Sequence, residues 1–523
     1  MSSDRRRARQ LKAAVCILAL AVAVTLFNVG HAFDGFLPKH LAVGYEAFGD
    51  GTLPSTYLTE QIPGFHAFVA LLFVVLDIDP FLLHHFPVQV VPYAVTFFAL
   101  VYVVSDRNAL LAAAVTGLLL LVSPAGTWRL TLWPHGFGDV ILFTVLVGLL
   151  VLLGTRSTGL AAVLVLLAAV AVVYVSYNLA AITLLVLVAS YLGIRMARRA
   201  RASEALEVAV SERLERPAPP LAILGITFVM GVAIVLSEFF RSTFVPLVLA
   251  GLGVDDLYRF AFVWIGAGPE HEEIAHLLVA QPASSRLLSL SRLFIVGLLL
   301  AGFGLYVASK LRTGRPYQEF DVVVSAYVAG LSAYVLVRSL VASIALADLF
   351  LPGVVALGYL YGAVEDARVH AVLLVLLVLL GGTVVGTQVE NYRHDGIDEN
   401  LDAVYHLDDN HRWLDVYVDT GDPIHADELT INVLVYDSLI ADDELTYEEA
   451  RAEYALLTTE EAAALTTYED PGEGCYVLNN HPDSVTLEEW LSVTSWDTHG
   501  EEIHANPNVD KVHADGDVWV FCG

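Results

Sequence analysis

Long runs of Leu, Val and Ala alternate with short polar segments from residue 11 to about residue 387. Most runs approach the length of about 20 residues with which a helix crosses the hydrocarbon core of a bilayer. The pattern therefore predicts a polytopic α-helical membrane protein. One run, residues 62–76, is short and opens with Pro63 and Gly64, so it suits a re-entrant or interfacial helix better than a span.

Basic residues mark the cytoplasmic ends of membrane helices, and here they decide the predicted topology. If 62–76 crossed the membrane, the arginines at 195–201 would face outward. With 62–76 treated as non-spanning, those arginines, the cluster at 310–315 and Arg368 all face inward. The N terminus is then cytoplasmic and about 11 spans follow, at 11–29, 82–104, 109–123, 137–153, 158–174, 177–194, 220–237, 287–308, 321–341, 343–361 and 369–387.

Charge divides the chain into two parts. The 523 residues include 57 acidic and 28 basic ones. Residues 391–523 contain 32 of the acidic and 4 of the basic residues, and residues 1–390 contain the other 25 acidic and 24 basic residues. Residues 1–390 are therefore predicted to form the multi-pass membrane domain and residues 391–523 an acidic, extracytoplasmic soluble domain. Dense carboxylates keep a protein soluble in high salt, which fits the cell membrane of a halophilic archaeon. They argue against nucleic-acid binding, which needs basic patches.

The acidic segment is predicted to be a small α/β domain and not a disordered tail. Residues 413–418 and 518–521 are rich in aromatic and β-branched side chains, which disordered tails lack. Cys475 and Cys522 lie in strand-like segments, and an oxidising exterior allows a disulfide between them. The sequence leaves that pairing open.

The leading candidate for catalysis is Asp34, in the outer loop 28–61 that follows the first span. A carboxylate at a lipid-flanked boundary can act as general base toward an acceptor hydroxyl. The alternative is a solvated loop acid or a helix cap. Glu46 and Asp50 of the same loop are reserves for the base, and Glu46 is also a candidate substrate contact.

The second outer loop, 123–139, carries Arg129, His135 and Asp139. Arginine offers a permanently charged, bidentate clamp for phosphate, and His135 is a further candidate substrate contact. Three roles are open for Asp139: ordering the acceptor, binding a metal ion, and capping the helix that follows. A divalent cation held by Asp34 and Asp139 is a candidate cofactor.

Arg338 lies among apolar residues near the outer end of the ninth span. Ionisable residues within spans are costly and are usually functional or paired. Arg338 is therefore a candidate for holding a leaving phosphate, and pairing with Asp348 is the alternative. Neither a histidine pattern with ligand spacing nor a phosphate-cradling glycine-rich loop is found in the sequence.

Residues 11–200 resemble the GT-C class of membrane glycosyltransferases, especially the protein-mannosyltransferase-like and aminoarabinose-transferase-like enzymes. The resemblance consists of a short first helix, a loop with Asp34, a non-spanning helix that opens with Pro63-Gly64-Phe65-His66, and a loop in which Ser123-Pro124, Arg129 and Asp139 follow in this order. The tail 507–521 is similar to the closing strands of outer domains in archaeal members.

The resemblance implies a dolichyl- or polyprenyl-phosphate sugar as donor and inversion at the anomeric carbon. The acceptor would be a surface glycan, glycoprotein or lipid, reached from the surrounding membrane lipid on the outer face. Asp34 and Asp139 would match the two loop acids of the family, and Arg129 the arginine ahead of the second. Two departures stand: Gly35 follows Asp34 where a second acid is expected, and the acidic domain lacks a Trp-Trp-Asp sequence.

Two other functions compete with a hexosyl- or pentosyltransferase. A transporter or lipid flippase would place ionisable residues near the membrane midplane, but spans 109–123, 137–153, 158–174 and 369–387 are nearly devoid of them. A non-catalytic membrane scaffold would use the acidic domain to bind a partner.

Overall fold

The structure is a computed structural model of the chain. It describes residues 2–29, 37–54, 59, 62–76, 89–104, 108–122, 134–154, 158–202, 211–237, 239–241, 318–338, 416–418, 435–436, 439, 445–452, 454–456, 475–479, 510–515 and 518–522. The predicted spans 287–308, 343–361 and 369–387 lie outside these residues.

Helices make up most of the described chain. They are α1 Ser2–Val29, α2 Leu37–Asp50, α3 Pro63–Leu76, α4 Val90–Val104, α5 Ala109–Val122, α6 Pro134–Gly154, α7 Thr158–Val175, α8 Tyr177–Ala202, α9 Ala218–Leu236, α10 Glu319–Arg338 and α11 Tyr447–Ala452, with a 3-10 turn at Glu212–Glu215. Five strands complete the description: β1 Val416–Val418, β2 Tyr454–Leu456, β3 Cys475–Asn479, β4 Asp510–Asp515 and β5 Val518–Cys522.

Four of the described helical segments are long and apolar enough to cross a membrane. They are Gly136–Gly154, Thr158–Val175, Tyr177–Arg199 and Ala218–Leu236. At 1.5 Å per residue, the 19 residues of the first cover about 28 Å, close to the hydrocarbon thickness. The prediction of a membrane-embedded helical protein is therefore supported, while the number of spans stays a prediction.

The chain divides into two compact units. The first, here the bundle unit, holds α1, the first three residues of α3, and α4 through α10. The second, here the sheet unit, holds α2, the rest of α3, α11 and the strands.

Close helix contacts fix the register of the bundle unit. A Cβ added at Gly148 of α6 would lie 2.5 Å from Val165 Cγ2 of α7, and one added at Gly138 would lie 2.9 Å from Ser176 Cβ. Because rising numbers on α6 contact falling numbers on α7, these two helices are antiparallel. Aromatic rings of α4 pack on the other side of α6, with Phe97 5.2 Å from Phe143.

The helix α8 pairs with α10 in the same antiparallel sense. A Cβ at Gly330 would lie 2.9 Å from the backbone nitrogen of Val186, and one at Gly193 would lie 3.6 Å from Val322 Cγ1. Glycine at 330 thus allows the two backbones to approach closely. The helix α8 starts one residue after α7 ends, and Ser176 between them still donates its N–H to Val172 O at 3.0 Å.

The described strands form one mixed sheet in the order β2-β1-β3-β5-β4. The strand β1 is parallel to β2 and β3, whereas β5 is antiparallel to β3 and β4. Cys475 and Cys522 are direct partners across β3 and β5, and a disulfide joins them. The clusters of aromatic and β-branched residues at 413–418 and 518–521 overlap β1 and β5.

Part of the outer loop predicted at 28–61 is helical, which corrects the expectation of a loop there. Helix α2 has Pro38 in its first turn, where proline is tolerated, and ends just before Gly51, whose φ is +68°. Leu41 and Val43 are fully buried. The segment appears polar in sequence because Lys39, Glu46 and Asp50 interrupt its apolar residues.

Candidate functional site

The bundle unit has two chemically different ends. Helix α8 runs from Tyr177 at one end to Ala202 at the other, and its neighbours α9 and α10 run back along it. The end near Tyr177 carries buried polar and aromatic residues. The end near Ala202 carries arginines and paired carboxylates. Below, the end near Tyr177 is called the carboxylate end, after Asp139, and the end near Ala202 is called the arginine end.

The arginine end is held together by Arg198. Its Nε donates to Leu214 O at 2.7 Å, and its Nη2 donates to Arg216 O, which fastens the 3-10 turn to the last turns of α8. Glu319, only 5% exposed, lies at the start of α10 and accepts from Ser211 Oγ at 3.3 Å, with Arg213 Nε 3.7 Å away. Asp321 accepts the N–H of Gln318 at 2.7 Å.

The carboxylate end is defined by Asp139. This residue is 0% exposed and lies five residues inside α6, which begins at Pro134. The alternative that Asp139 caps this helix is therefore wrong, because a cap precedes the first helical residue. Three buried or nearly buried carboxylates occur in the described chain, Asp139, Glu319 and Asp321, and only Asp139 belongs to this end.

Gly138, the residue before Asp139 in α6, packs on the junction of α7 and α8. Gly138 lies against Ser176 and Leu179, and Ser176 is 0% exposed. Phe137 packs on Phe65, with ring centroids 6.5 Å apart. A larger residue at 138 would push the junction away, so the glycine allows the start of α6 to approach it closely.

Helix α10 brings a second polar pair to the same end. Tyr334, 3% exposed, donates its hydroxyl to Asn178 Oδ1 at the start of α8. Arg338 is the last residue of α10, four residues or about one helical turn beyond Tyr334. The backbone of Arg338 therefore lies at the same end of the bundle as Asp139, as the prediction of a shared outer face requires. The structure describes the backbone of Arg338 but not its side chain.

The other sequence candidates divide between described and undescribed residues. Asp34, Arg129 and Asp348 lie outside the described residues. The backbone of His135 is helical, in the first turn of α6, and its side chain is not described. Their predicted roles stay predictions, as does a divalent cation held by Asp34 and Asp139.

Glu46 occupies a defined place in the sheet unit. Its Oε2 accepts the backbone N–H of Tyr447 at 2.9 Å, across 401 residues of sequence. Next to this contact, Thr446 and Glu449 form a capping box: Thr446 N–H and Oγ1 donate to Glu449 Oε2, and Glu449 N–H donates back to Thr446 Oγ1. The hydroxyl of Thr446 and then its N–H lower the pKa of Glu449. Substrate contact by Glu46 stays a prediction.

Sequence reasoning missed one buried pair in the sheet unit. His40 Nδ1 lies 3.0 Å from His66 Nε2, and the two residues are 4% and 0% exposed. The two histidines come from α2 and α3, 26 residues apart, so only the helical character of α2 could have suggested their approach. Within the described ranges, no group of three or more His, Cys, Asp or Glu side chains is placed to hold a metal ion.

A scan against protein-family models and a search of curated proteins both gave no match to this chain. The likeness to GT-C enzymes therefore rests on the sequence pattern alone, and no family assignment follows.

Proposed function

We propose that this chain is a glycosyltransferase of the GT-C type. It moves a hexose or pentose from a dolichyl- or polyprenyl-phosphate donor to a glycan, glycoprotein or lipid acceptor on the outer face of the membrane. The observation that carries the proposal is the fully buried Asp139 at one end of a membrane-length helix. A carboxylate in such a place is costly, and its usual reason is function.

The proposed reaction is an inverting displacement at the anomeric carbon. Asp34 takes the proton of the acceptor hydroxyl as its oxygen attacks that carbon, and the bond to the donor phosphate breaks. Arg129 and Arg338 stabilise the departing phosphate, which carries the developing negative charge. Asp139 orders the acceptor. No step is assigned to a metal ion.

The proposed topology has about 11 spans. Two observations support its orientation, with a cytoplasmic N terminus and an extracytoplasmic α/β domain. The residues Arg195, Arg198, Arg199, Arg213 and Arg216 gather at the end of the bundle opposite Asp139, as the positive-inside rule requires of a cytoplasmic end. The Cys475–Cys522 disulfide fits an oxidising exterior.

A transfer assay in isolated membranes tests the proposal. Membranes containing the wild type or the Asp139→Asn variant receive a panel of polyprenyl-phosphate hexoses and pentoses carrying radiolabelled sugar. We expect label transfer by the wild type and a fall of about 100-fold or more in Asp139→Asn. Asp321→Asn is the matched control, because it changes a buried carboxylate at the opposite end and keeps an oxygen acceptor for Gln318 N–H.

Two results would count against the proposal. Equal transfer by Asp139→Asn and Asp321→Asn would remove Asp139 from the reaction. If the wild type transfers no sugar from any donor, while vesicles containing it move the lipid-linked sugar across the membrane, the protein is a flippase and the transferase hypothesis is wrong.

A further inference from the structure

Helix α2 is fixed on one side by α3. Gly44 lies so close to α3 that an added Cβ would be 2.3 Å from Val69 Cγ1. Further along, Phe73 packs on Tyr45 and Phe48, with ring centroids 5.4 and 5.9 Å apart. Close packing over more than one helical turn leaves α2 little freedom to slide along α3.

The acidic segment holds α2 through a different kind of contact. The Glu46 carboxylate accepts the N–H of Tyr447, the first residue of α11. The Tyr447 side chain is 7% exposed and Ala450 is fully buried, so this part of α11 is packed inside the sheet unit. A charge-assisted bond in a partly buried setting is stronger than an ordinary surface contact.

The local chemistry of α11 leaves this N–H for Glu46. The capping box of Thr446 and Glu449 uses the N–H groups of those two residues. The N–H of Tyr447, which has no partner inside its own helix because it lies in the first turn, points instead to the carboxylate of Glu46. A negative charge near a helix N-terminus is also favourable.

The position of α2 in the chain gives this contact a consequence. Helix α2 begins at Leu37, three residues after Asp34, the proposed base. Loss of the contact that holds α2 is therefore expected to slow a reaction in which Asp34 acts as the base. A base misplaced by about 1 Å costs a large part of its rate.

We propose that Glu46 is a positioning residue, whose hydrogen bond to the N–H of Tyr447 joins the acidic segment to α2, the helix that follows the proposed base Asp34 in the sequence. The role rests on the proposed transferase function for its effect on rate. The hydrogen bond between Glu46 and Tyr447, called the tie below, lies within the sheet unit. It is therefore measurable without any sugar donor or sugar acceptor.

Hydrogen–deuterium exchange on the full-length protein in detergent tests the tie. Glu46→Ala removes the acceptor, and we expect amide exchange in residues 37–50 and 447–452 to rise about tenfold or more. Glu46→Gln keeps an oxygen that accepts the same N–H, and we expect exchange close to that of the wild type. Unchanged exchange in Glu46→Ala overturns the proposal.

A second pair of variants tests the donor. Tyr447→Pro removes both the ring and the N–H, and proline is well tolerated at the first position of a helix. Tyr447→Ala removes the ring and keeps the N–H. Faster exchange in 37–50 for the proline variant than for the alanine variant supports the tie. Equal exchange in the two overturns it.

Transfer kinetics separate positioning from substrate binding. Positioning predicts that Glu46→Ala lowers kcat with little change in KM, and that Glu46→Gln restores kcat. If Glu46 binds the substrate through its charge, Glu46→Gln is as impaired as Glu46→Ala while exchange stays at the wild-type level. A wild type that transfers no sugar contradicts the proposed function but not the tie, which exchange then decides.

Discussion

Gly44 sets how closely α2 approaches α3. Alanine there would place a Cβ 2.3 Å from Val69 Cγ1 and 2.9 Å from Val69 Cβ, so one helix must shift. We expect Gly44→Ala to lower the free energy of unfolding by about 1 to 3 kcal/mol. Thermal unfolding in detergent measures the change.

Gly49 supplies the control for this prediction because it lies in the same helix with no atom within 4 Å of an added Cβ. Gly49→Ala should be neutral or stabilising by up to about 1 kcal/mol, as alanine favours helix. Adding Val69→Ala to Gly44→Ala should recover part of the loss. Equal effects of alanine at 44 and 49 would contradict the close contact.

Glu449 gives α11 a pH dependence with a definite sign. Because hydrogen bonds from Thr446 lower the pKa of this carboxyl below its ordinary value of 4.5, its ionised form stabilises the folded helix. That contribution is fully present above pH 4.5 and is lost as the pH falls through the lowered value. We expect amide exchange in 447–452, corrected for intrinsic rates, to rise over this window in the wild type. The variant Glu449→Gln is the control, and its amide exchange should not change with pH over this window. An exchange rate in the wild type that is equally independent of pH would contradict the cap.

At the scale of elements, Arg198 joins the last turns of α8 to the 3-10 turn through two backbone carbonyls. Arg195, one turn earlier, is exposed and donates to Tyr191 Oη within its own helix. We expect Arg198→Ala to lower the unfolding free energy by about 1.5 to 3 kcal/mol and Arg195→Ala by less than about 0.5 kcal/mol. Chemical denaturation of both variants measures the two losses of unfolding free energy. Equal losses would contradict a stabilising contact between Arg198 and the 3-10 turn.

The sequence predicted the apolar helices well and missed α2, in which charged residues interrupt the apolar ones. Predicted spans 158–174 and 220–237 differ from α7 and α9 by two residues or fewer at each end, because apolar runs there stop abruptly. Helix α8 extends eight residues past the predicted end at 194, since arginines interrupt hydrophobicity without interrupting helix.

The candidate site was predictable only in part. Alternating span directions placed Asp139 and Arg338 on one face, and the bundle places their backbones at one end. The predicted span 137–153 already contained Asp139, but its complete burial depends on how the helices pack around it, which hydropathy along the chain does not predict. The contact of Glu46 with Tyr447 spans 401 residues, a separation at which a single sequence carries no pairing signal.

At the scale of the whole molecule, the Cys475–Cys522 disulfide closes a sequence separation of 47 residues. Chain-entropy arguments assign such a loop about 4 kcal/mol of stabilisation. We expect the Cys475→Ser, Cys522→Ser double variant to unfold at a clearly lower temperature under oxidising conditions. The two proteins should behave alike once the wild type is reduced; a difference that persists after reduction would assign the effect to the serines.

The same cysteines report the proposed topology. In a Cys16→Ser background, the remaining two cysteines are those of the disulfide. An extracytoplasmic domain predicts that intact cells, treated with a reductant, become labelled by a membrane-impermeant maleimide. Cells without reductant are the control. Labelling that requires broken cells would place the acidic domain in the cytoplasm and reverse the topology.

The most direct test of the transferase hypothesis is mass spectrometry of surface glycans and lipid-linked sugars in cells that lack the gene. The cells are complemented with the wild type, Asp34→Asn or Asp139→Asn, at matched protein levels. We expect one sugar to disappear from the surface, its phospholipid-linked donor to accumulate, and only the wild type to reverse both. Unchanged glycans and donors in the deletion, or full rescue by both variants, would contradict a transferase that works through these carboxylates.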